Sequence, residues 1–213
     1  IVLMGNVVTL GWGGAGDKQG NVAEMNSLGV ELSLFTRNIE RKDFKWQTNF
    51  IFAWMDNEVT KLKTMTRMID YITGTGYSMV GTPRGSLFSL KFKGLNEMGI
   101  PTFLAADGSI TSTNIQFQET VNMSNLVYEG PVDPTITGSL GNIFKWKGFT
   151  LNVFMTYSFG NVVRLDPIFS NGYSDLTAMP REFANRYLNP GDERRTNVTD
   201  IASTRQNSEI STL

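Results

Sequence analysis

The clearest pattern in the sequence lies in residues 44–55, which read FKWQTNFIFAWM. Side chains alternate there between an aromatic face and a mixed face, as they do on the two sides of a β-strand. Five of the six residues on the first face are aromatic: Phe44, Trp46, Phe50, Phe52 and Trp54. The second face carries Lys45, Gln47, Asn49, Ile51, Ala53 and Met55. The pattern predicts a long strand whose two faces meet different surroundings.

Three further segments alternate with the same period and complete two hairpins. Residues 28–39 precede the first strand, across the polar stretch Glu40 to Asp43, and Phe35 interrupts their alternation. Residues 135–147 and 149–159 flank a tight turn at Lys147-Gly148. One face of this second hairpin carries Ile136, Gly138, Leu140, Asn142, Phe144 and Trp146, then Phe149, Leu151, Val153, Met155, Tyr157 and Phe159. The sequence therefore predicts an all-β fold of antiparallel hairpins.

The remaining segments, residues 56–85, 94–133 and 160–213, are rich in Gly, Asn, Ser and Thr and are predicted as long loops. A shorter strand, Ser86 to Lys93, could belong either to the main sheet or to a loop. Zero or two further strands could cross between Trp54 and Thr135. Only one helix is predicted, Pro180 to Leu188, because proline favours a first helical position and Phe183 and Tyr187 are four residues apart.

The composition excludes several classes of function. The 213 residues contain no His and no Cys, and 19 Lys+Arg balance 20 Asp+Glu. A Ser-His-Asp triad and a thiol nucleophile are therefore impossible, and the usual zinc ligands are missing. We expect no enzymatic activity, no cofactor, no metal and no nucleic-acid partner. We also expect no signal peptide at the amino end and no transmembrane helix, although transmembrane strands need only about 9 to 11 residues each.

Residues 11–16, GWGGAG, match the G-x-G-x-x-G pattern of dinucleotide-binding folds after a strand-like segment, Asn6 to Leu10. That fold needs an amphipathic helix next, followed by further β-α-β alternation. Residues 13–28 are interrupted by Gly20 and Asn21, and hairpins follow them. A glycine-rich loop is the better interpretation.

Alternation alone does not separate a soluble core from a lipid-facing surface. The aromatic side chains near the strand ends, the polar opposite faces, and the contrast of short turns with long loops favour a membrane β-barrel. The predicted lipid-facing residues are Phe44, Trp46, Phe50, Phe52, Trp54, Phe144, Trp146, Phe149, Leu151, Val153, Met155 and Tyr157. The predicted lumen-facing residues are Lys45, Gln47, Asn49, Asn152 and Thr156. The alternative is a soluble β-sandwich carbohydrate-binding module, in which the aromatic faces form the core.

Several short motifs resemble the SusC/RagA family of TonB-linked outer-membrane transporters. Residues 25–32, MNSLGVEL, and 43–48, DFKWQT, are similar to the N-x-G-x-E-L and F-x-W-x-T motifs of that family. Residues 81–88, GTPRGSLF, resemble its G-x-P-x-G-x-x-F segment, and Gly94-Leu95-Asn96 with Gly99-Ile100-Pro101 resemble the G-L-x-x-x-G-x-P that follows. Residues 130–151 resemble its G-x-x-x-P-x-x-x-G and Y-K-G-F-x-L hairpin. In this order the motifs cover most of Met25 to Asn161.

The resemblance implies part of a large transmembrane β-barrel of the TonB-dependent receptor type, with long extracellular loops, in the outer membrane. Residues 1–213 would form an incomplete barrel that lacks the signal, the plug and the last strands. The implied function is uptake of oligosaccharides or peptides. The implied partners are a SusD-like surface lipoprotein, the TonB complex acting through the plug, and outer-membrane lipid.

Loop residues are the candidates for substrate contact. Tyr71, Tyr77 and Tyr173 could stack on sugar rings, although loop tyrosines more often pack locally. Residues 105–110, AADGSI, lack most carboxylates of the family's acidic run, which argues against a calcium site. The sequence does not indicate which loops contact cargo or lid, or how the open edges of the sheet are covered.

Overall fold

The computed structural model describes residues 2–9, 16–113, 115–165, 168 and 180–199, with side chains from residue 23 onward. Most of its regular structure is β, which confirms the predicted all-β antiparallel class. The strands are β1 (Val2–Thr9), β2 (Gly16–Glu40), β3 (Phe44–Leu62), β4 (Ser86–Leu90), β5 (Phe92–Leu95), β6 (Pro101–Leu104), β7 (Ile110–Thr111), β8 (Leu126–Pro131), β9 (Ile136–Trp146) and β10 (Phe149–Phe159).

The largest sheet has the strand order β1-β2-β3-β9-β10, and every neighbouring pair is antiparallel. Strand β1 pairs with residues 16–24 of β2. Strands β2, β3, β9 and β10 pair along most of their remaining length and form the main part of the sheet. Strands β1 and β2 are antiparallel, whereas the first two strands of a dinucleotide-binding unit are parallel. Strand β3 pairs directly with β9. No strand of this sheet therefore lies between them, which answers the question left open by the sequence.

Two short turns lie at one end of this meander. Lys147 and Gly148 both have positive φ angles, 42° and 89°, which is typical of the two-residue type I′ hairpin turn. The other turn joins β2 to β3 through residues 41–43, where the Arg41 N–H donates to the Phe44 carbonyl at 2.8 Å. The long connection from β3 to β9 and the chain after β10 both leave from the opposite end. The predicted asymmetry of short turns and long loops is thus present.

The described residues fall into two compact units. The first, the sheet unit, comprises residues up to Thr64, Ser78–Ser86 and Gly130–Val162. The second, the loop unit, comprises Met65–Tyr77, Leu87–Glu129 and residues from Val163 onward. Strands β5, β6 and β7 form a small sheet, and β4 pairs with β8. The hydrophobic core of the loop unit consists of Met68, Ile69, Ile72, Leu90, Phe103 and Ile115.

The structure corrects several predictions in the loops. The short helix α1 (Met68–Thr73) was not predicted, because six residues are too few for a periodic pattern and its stability comes from burying Met68, Ile69, Tyr71 and Ile72. Residues 56–62, predicted as loop, continue β3 because they pair with β2. Residues 94–133, predicted as an irregular loop, contain β6, β7 and β8.

The segment Ser86 to Lys93 is divided between β4 and β5, outside the five-stranded sheet. The predicted helix from Pro180 to Leu188 is a five-residue 3₁₀ helix, Arg181–Asn185. It ends early because the Tyr187 N–H bonds to the Val198 carbonyl at 2.8 Å and no longer serves a helix. A second 3₁₀ turn covers Asp192–Arg194. Within the described residues, no helix has the length and apolar character needed to cross a membrane.

Candidate functional site on the two faces of the sheet

The strand register joins the separate apolar faces into one surface. Directly opposed residues of an antiparallel pair have side chains on the same face. Phe52 is opposite Leu32 on β2 and Gly138 on β9, and Gly138 is opposite Tyr157 on β10. The pairings along these strands place every residue of the predicted lipid-facing set on this one face. We call this surface the apolar face; its members from β2 are Val30, Leu32, Leu34, Thr36 and Ile39.

The apolar face is not covered within the described part of the chain. None of its residues from Val30 to Phe159 is buried. Leu32 is 51% exposed and Phe149 74% exposed, while the residues of this face on the inner strands β3 and β9, except the exposed Trp146, are half-buried by their neighbours. A continuous exposed apolar surface of this kind marks a contact with lipid or with another macromolecule. It is the opposite of the packed core that a soluble sandwich requires.

Aromatic side chains are concentrated at both ends of the apolar face. Near the short turns, Trp46 stacks on Phe144 with ring centroids 5.7 Å apart, and Trp146 stacks on Phe149 at 6.5 Å. At the other end Tyr157 stacks on Phe159 at 5.8 Å, close to Trp54. Trp46 and Trp54 bound a stretch of nine residues. This agrees with the roughly 9 to 11 residues of a tilted transmembrane strand and with the aromatic girdles that flank the apolar band of such barrels.

A small polar cluster interrupts the apolar face near the short turns. The Trp46 indole N–H and the Thr48 hydroxyl both donate to Asn142 Oδ1, at 3.0 and 2.7 Å. The Asn38 amide donates to Thr48 Oγ1 at 2.6 Å. These side chains bond to one another, which is the arrangement that an apolar solvent requires of polar groups. The cluster is therefore compatible with contact between this face and hydrocarbon.

The opposite surface, which we call the polar face, carries the predicted lumen residues on β3 and β10. Lys45 is opposite Lys145, Gln47 opposite Ile143, and Asn152 opposite Ile143 from the other side. Two aromatic residues, Phe35 and Phe154, also lie on this face. Sequence reasoning treated Phe35 only as a break in the pattern. The signal available in the sequence was the presence of single aromatic residues among polar neighbours on the same face, and the sequence analysis did not use it.

The predicted sugar-stacking tyrosines have different environments. Tyr71 is 5% exposed, and its ring packs edge-on against Phe88 at 5.1 Å and against Tyr77 at 5.7 Å. Burial raises the pKa of the Tyr71 hydroxyl. Tyr77 is 38% exposed, so it is the more accessible of the pair. Tyr173 lies outside the described residues. Ligand stacking by these residues stays a prediction, and the contacts of Tyr71 are those of a packed side chain.

The loop motif Gly99-Ile100-Pro101 has a structural role. Gly99 adopts a φ of 72°, and an added Cβ would fall 2.5 Å from the Tyr187 ring. The Tyr187 hydroxyl donates to the Glu97 carbonyl at 2.6 Å. Glycine at this position therefore allows both the turn and the close approach of the ring.

Comparisons with known proteins agree with this architecture. TonB-dependent receptor P3 of Formosa agariphila is 26% identical over 157 residues, which cover 67% of this chain and 16% of that protein. Among solved structures, that of the RagAB peptide transporter shares 21% identity with a TM-score of 0.56 and covers 86% of this chain and 21% of that chain. No family model matches the chain. The chain thus spans about a sixth of the curated relative and a fifth of the structural one.

The fold is that of a segment of a transmembrane β-barrel wall with its loops. The resemblance to the SusC/RagA type of TonB-dependent outer-membrane transporter, drawn above from the sequence motifs, is confirmed by the curated and structural relatives. These relatives agree with the predicted location in the outer membrane. Both relatives are named as a receptor or a transporter and not as an enzyme.

Proposed function

We propose that residues 1–213 form part of the barrel wall and the extracellular loops of a TonB-dependent transporter that imports oligosaccharides or peptides. In this arrangement the apolar face contacts lipid and the polar face contacts the lumen. The loop unit and the extended ends of β2 and β3 lie on the extracellular side. The chain supplies no chemistry, and its role is to shape a passage.

One observation carries this proposal. Four strands separated by up to about 120 residues of chain place their apolar residues in register on one exposed surface, with aromatic rings at both ends. Covering that surface with hydrocarbon removes it from water without a second layer of protein. The short turns then lie on the periplasmic side, where such barrels have them.

The partners follow from the same arrangement and from the relatives. A TonB-dependent receptor draws energy from the TonB complex, here through parts of the protein outside this chain. The structural relative is named as the RagAB peptide transporter. Together with the motif resemblance to the SusC/RagA family, it supports a surface lipoprotein of the SusD type as the second partner. The loop unit is the part of this chain proposed to contact cargo and lipoprotein.

The orientation of the two faces can be tested by cysteine labelling, because residues 1–213 contain no cysteine. Leu32→Cys and Ser33→Cys are a matched pair on adjacent positions and opposite faces of β2. In outer membranes that contain the full-length receptor, we expect a hydrophilic maleimide to label Ser33→Cys. Leu32→Cys should react only after the protein is denatured in detergent.

Other outcomes would point elsewhere. Labelling of Leu32→Cys but not Ser33→Cys would reverse the two faces and contradict the proposal. A receptor that remains in the soluble fraction after cell lysis would favour the carbohydrate-binding module.

A further inference from the structure

Positive charge is concentrated at the end of the sheet that carries the two short turns, which we call the turn end. Residues 37–45 and 145–147 form this end and contain six basic and two acidic side chains. The basic residues are Arg37, Arg41, Lys42, Lys45, Lys145 and Lys147, and the acidic ones are Glu40 and Asp43. At the opposite end of the same strands, residues 23–31, 53–64 and 133–135 contain two basic and five acidic side chains. The two ends of the sheet therefore differ in the sign of their charge.

The positive charge at the turn end is not neutralised within the described residues. The Glu40 carboxylate is 3.3 Å from Lys45 Nζ and 4.0 Å from the Arg37 guanidinium, so one acidic side chain serves two basic ones. In the part of the chain that the structure describes, the other four basic residues of the turn end form no ion pair, and all four are exposed. The turn end thus presents an excess of unpaired cations, which attracts anions.

A hydrogen bond brings the two short turns together. The Lys147 N–H donates to the Asp43 carbonyl at 3.1 Å. Arg41 and Lys42, in the turn between β2 and β3, therefore belong to the same end of the sheet as Lys147, in the turn between β9 and β10. More than 100 positions of sequence separate Lys42 from Lys147. Strand pairing is what places these cations in one patch.

The position of Lys147 shows on which face an anion would lie. Its Nζ is 5.7 Å from the ring centroid of Trp146, within the range of a cation–π contact. Trp146 stacks on Phe149, and both rings belong to the apolar face. The Lys147 ammonium is therefore on the apolar side of the turn, where aromatic residues meet charged ones. Lys145, two residues earlier, is on the polar face.

These observations require a partner that is both anionic and apolar. A free phosphate would use the cations but leave the exposed rings in water, and a neutral lipid would use the rings but leave the cations unpaired. An anionic phospholipid joins a phosphate to acyl chains in one molecule, and basic residues beside a membrane surface select such lipids.

We propose that the turn end of the apolar face binds an anionic phospholipid. The headgroup lies at Lys147, Arg41 and Lys42, and the acyl chains lie against Trp146 and Phe149. This inference rests on the proposed function, because the apolar face must contact lipid. It adds the charge of the lipid that the turn end selects.

The test measures lipid selectivity beside Lys147 in the full-length receptor. Leu151 is on the apolar face about 7 Å along β10 from Phe149, and Phe159 is on the same face at the far end of that strand. In a receptor with no other cysteine, Leu151→Cys or Phe159→Cys is labelled with a fluorophore in detergent and reconstituted into phosphatidylcholine vesicles. Nitroxide-labelled phosphatidylglycerol or phosphatidylcholine with identical acyl chains is then added as a quencher.

We expect phosphatidylglycerol to quench the fluorophore at Leu151→Cys at about one fifth or less of the phosphatidylcholine concentration. At Phe159→Cys the two lipids should quench equally. One basic side chain near a membrane surface contributes about fivefold to the affinity for anionic lipid, so Lys147→Gln should lower the preference by about two- to fivefold. Lys145→Gln, on the polar face, is the matched control and should leave the preference unchanged.

The other outcomes separate this inference from the proposed function. Equal quenching by the two lipids at Leu151→Cys would overturn the anionic site and leave the apolar face in lipid. A preference of the same size at Phe159→Cys, or one lost in Lys145→Gln rather than in Lys147→Gln, would also overturn it. If neither lipid quenched either fluorophore, the apolar face would not be in contact with lipid, and the proposed function itself would fail.

Discussion

The sheet unit and the loop unit use the same kinds of apolar residue in opposite ways. In the loop unit Met68, Ile72 and Phe103 are buried against one another, and polar residues face outward. In the sheet unit Leu32, Leu151 and Phe149 face outward on a single layer of strands. The difference is the one that the proposed function requires of two units in different solvents. Water drives the first to form a core, and hydrocarbon allows the second to remain a single sheet.

The largest expected effect comes from the core of the loop unit. Phe103 is buried and packs edge-on against Phe92 at 6.0 Å. Phe103→Ala should cost about 3 to 5 kcal/mol, through lost burial and the cavity it leaves. Limited proteolysis of the full-length receptor should then show new cleavage within residues 65–129 while the sheet stays protected. Phe159→Ala, an exposed aromatic, is the control, and equal cleavage in both variants would refute the contrast.

A charge on the sheet tests the other half of the comparison. Leu32→Arg should destabilise the receptor in lipid vesicles by about 2 to 4 kcal/mol, because the charge enters hydrocarbon. Ser33→Arg, one residue away on the polar face, should change stability little. The urea midpoint of unfolding measures both. If the two variants unfold at the same urea concentration, the sheet does not have one face in lipid.

The turn between β9 and β10 should have a smaller effect on the same measurement. Gly148 has a φ of 89°, and an alanine in that region costs about 1 to 2 kcal/mol. Gly148→Ala should lower the urea midpoint accordingly. Lys147→Asn is the matched change, because asparagine tolerates the φ of 42° found there and should be neutral or slightly stabilising. A neutral Gly148→Ala would mean that the turn adopts another conformation.

The smallest expected effect is at the start of α1. The Arg67 guanidinium donates to both carboxylate oxygens of Asp70, at 2.9 and 2.7 Å, and these bonds hold the Asp70 pKa below its usual value. The stabilisation is therefore present above the unfolded-state pKa, about 3.9, and is lost as pH falls through the lower folded pKa.

Because Arg67 is half exposed, Asp70→Asn should cost only about 0.5 kcal/mol at neutral pH. Hydrogen exchange of residues 67–73, corrected for intrinsic rates, should show this loss at pH 6 and a smaller one near pH 3. Glu97→Gln in the same unit should show neither. An Asp70→Asn effect that is independent of pH would rule out the ionic contribution.

The strands were predictable because alternation needs only local information. The second hairpin, predicted over residues 135–159, is observed over Ile136–Trp146 and Phe149–Phe159. The elements of the loop unit could not be predicted in this way. Helix α1, for example, depends on contacts with Leu90, Phe103 and Ile115, which are distant in the chain. The sequence also allowed either zero or two strands between β3 and β9, and only the structure showed that these two strands pair directly. The candidate tyrosines were visible in the sequence, but the burial of Tyr71 was not.

By itself, the sequence determined the class of the protein. Period-two alternation with aromatic strand ends predicted antiparallel strands and favoured a barrel wall, and the motif resemblance indicated its family. Only the tertiary structure decided which residues share a row. Phe35, Asn49, Gly141 and Phe154 come from four strands, and strand pairing alone brings them together. The physical reason is that alternation assigns a side chain to a face, whereas inter-strand hydrogen bonds set its neighbours.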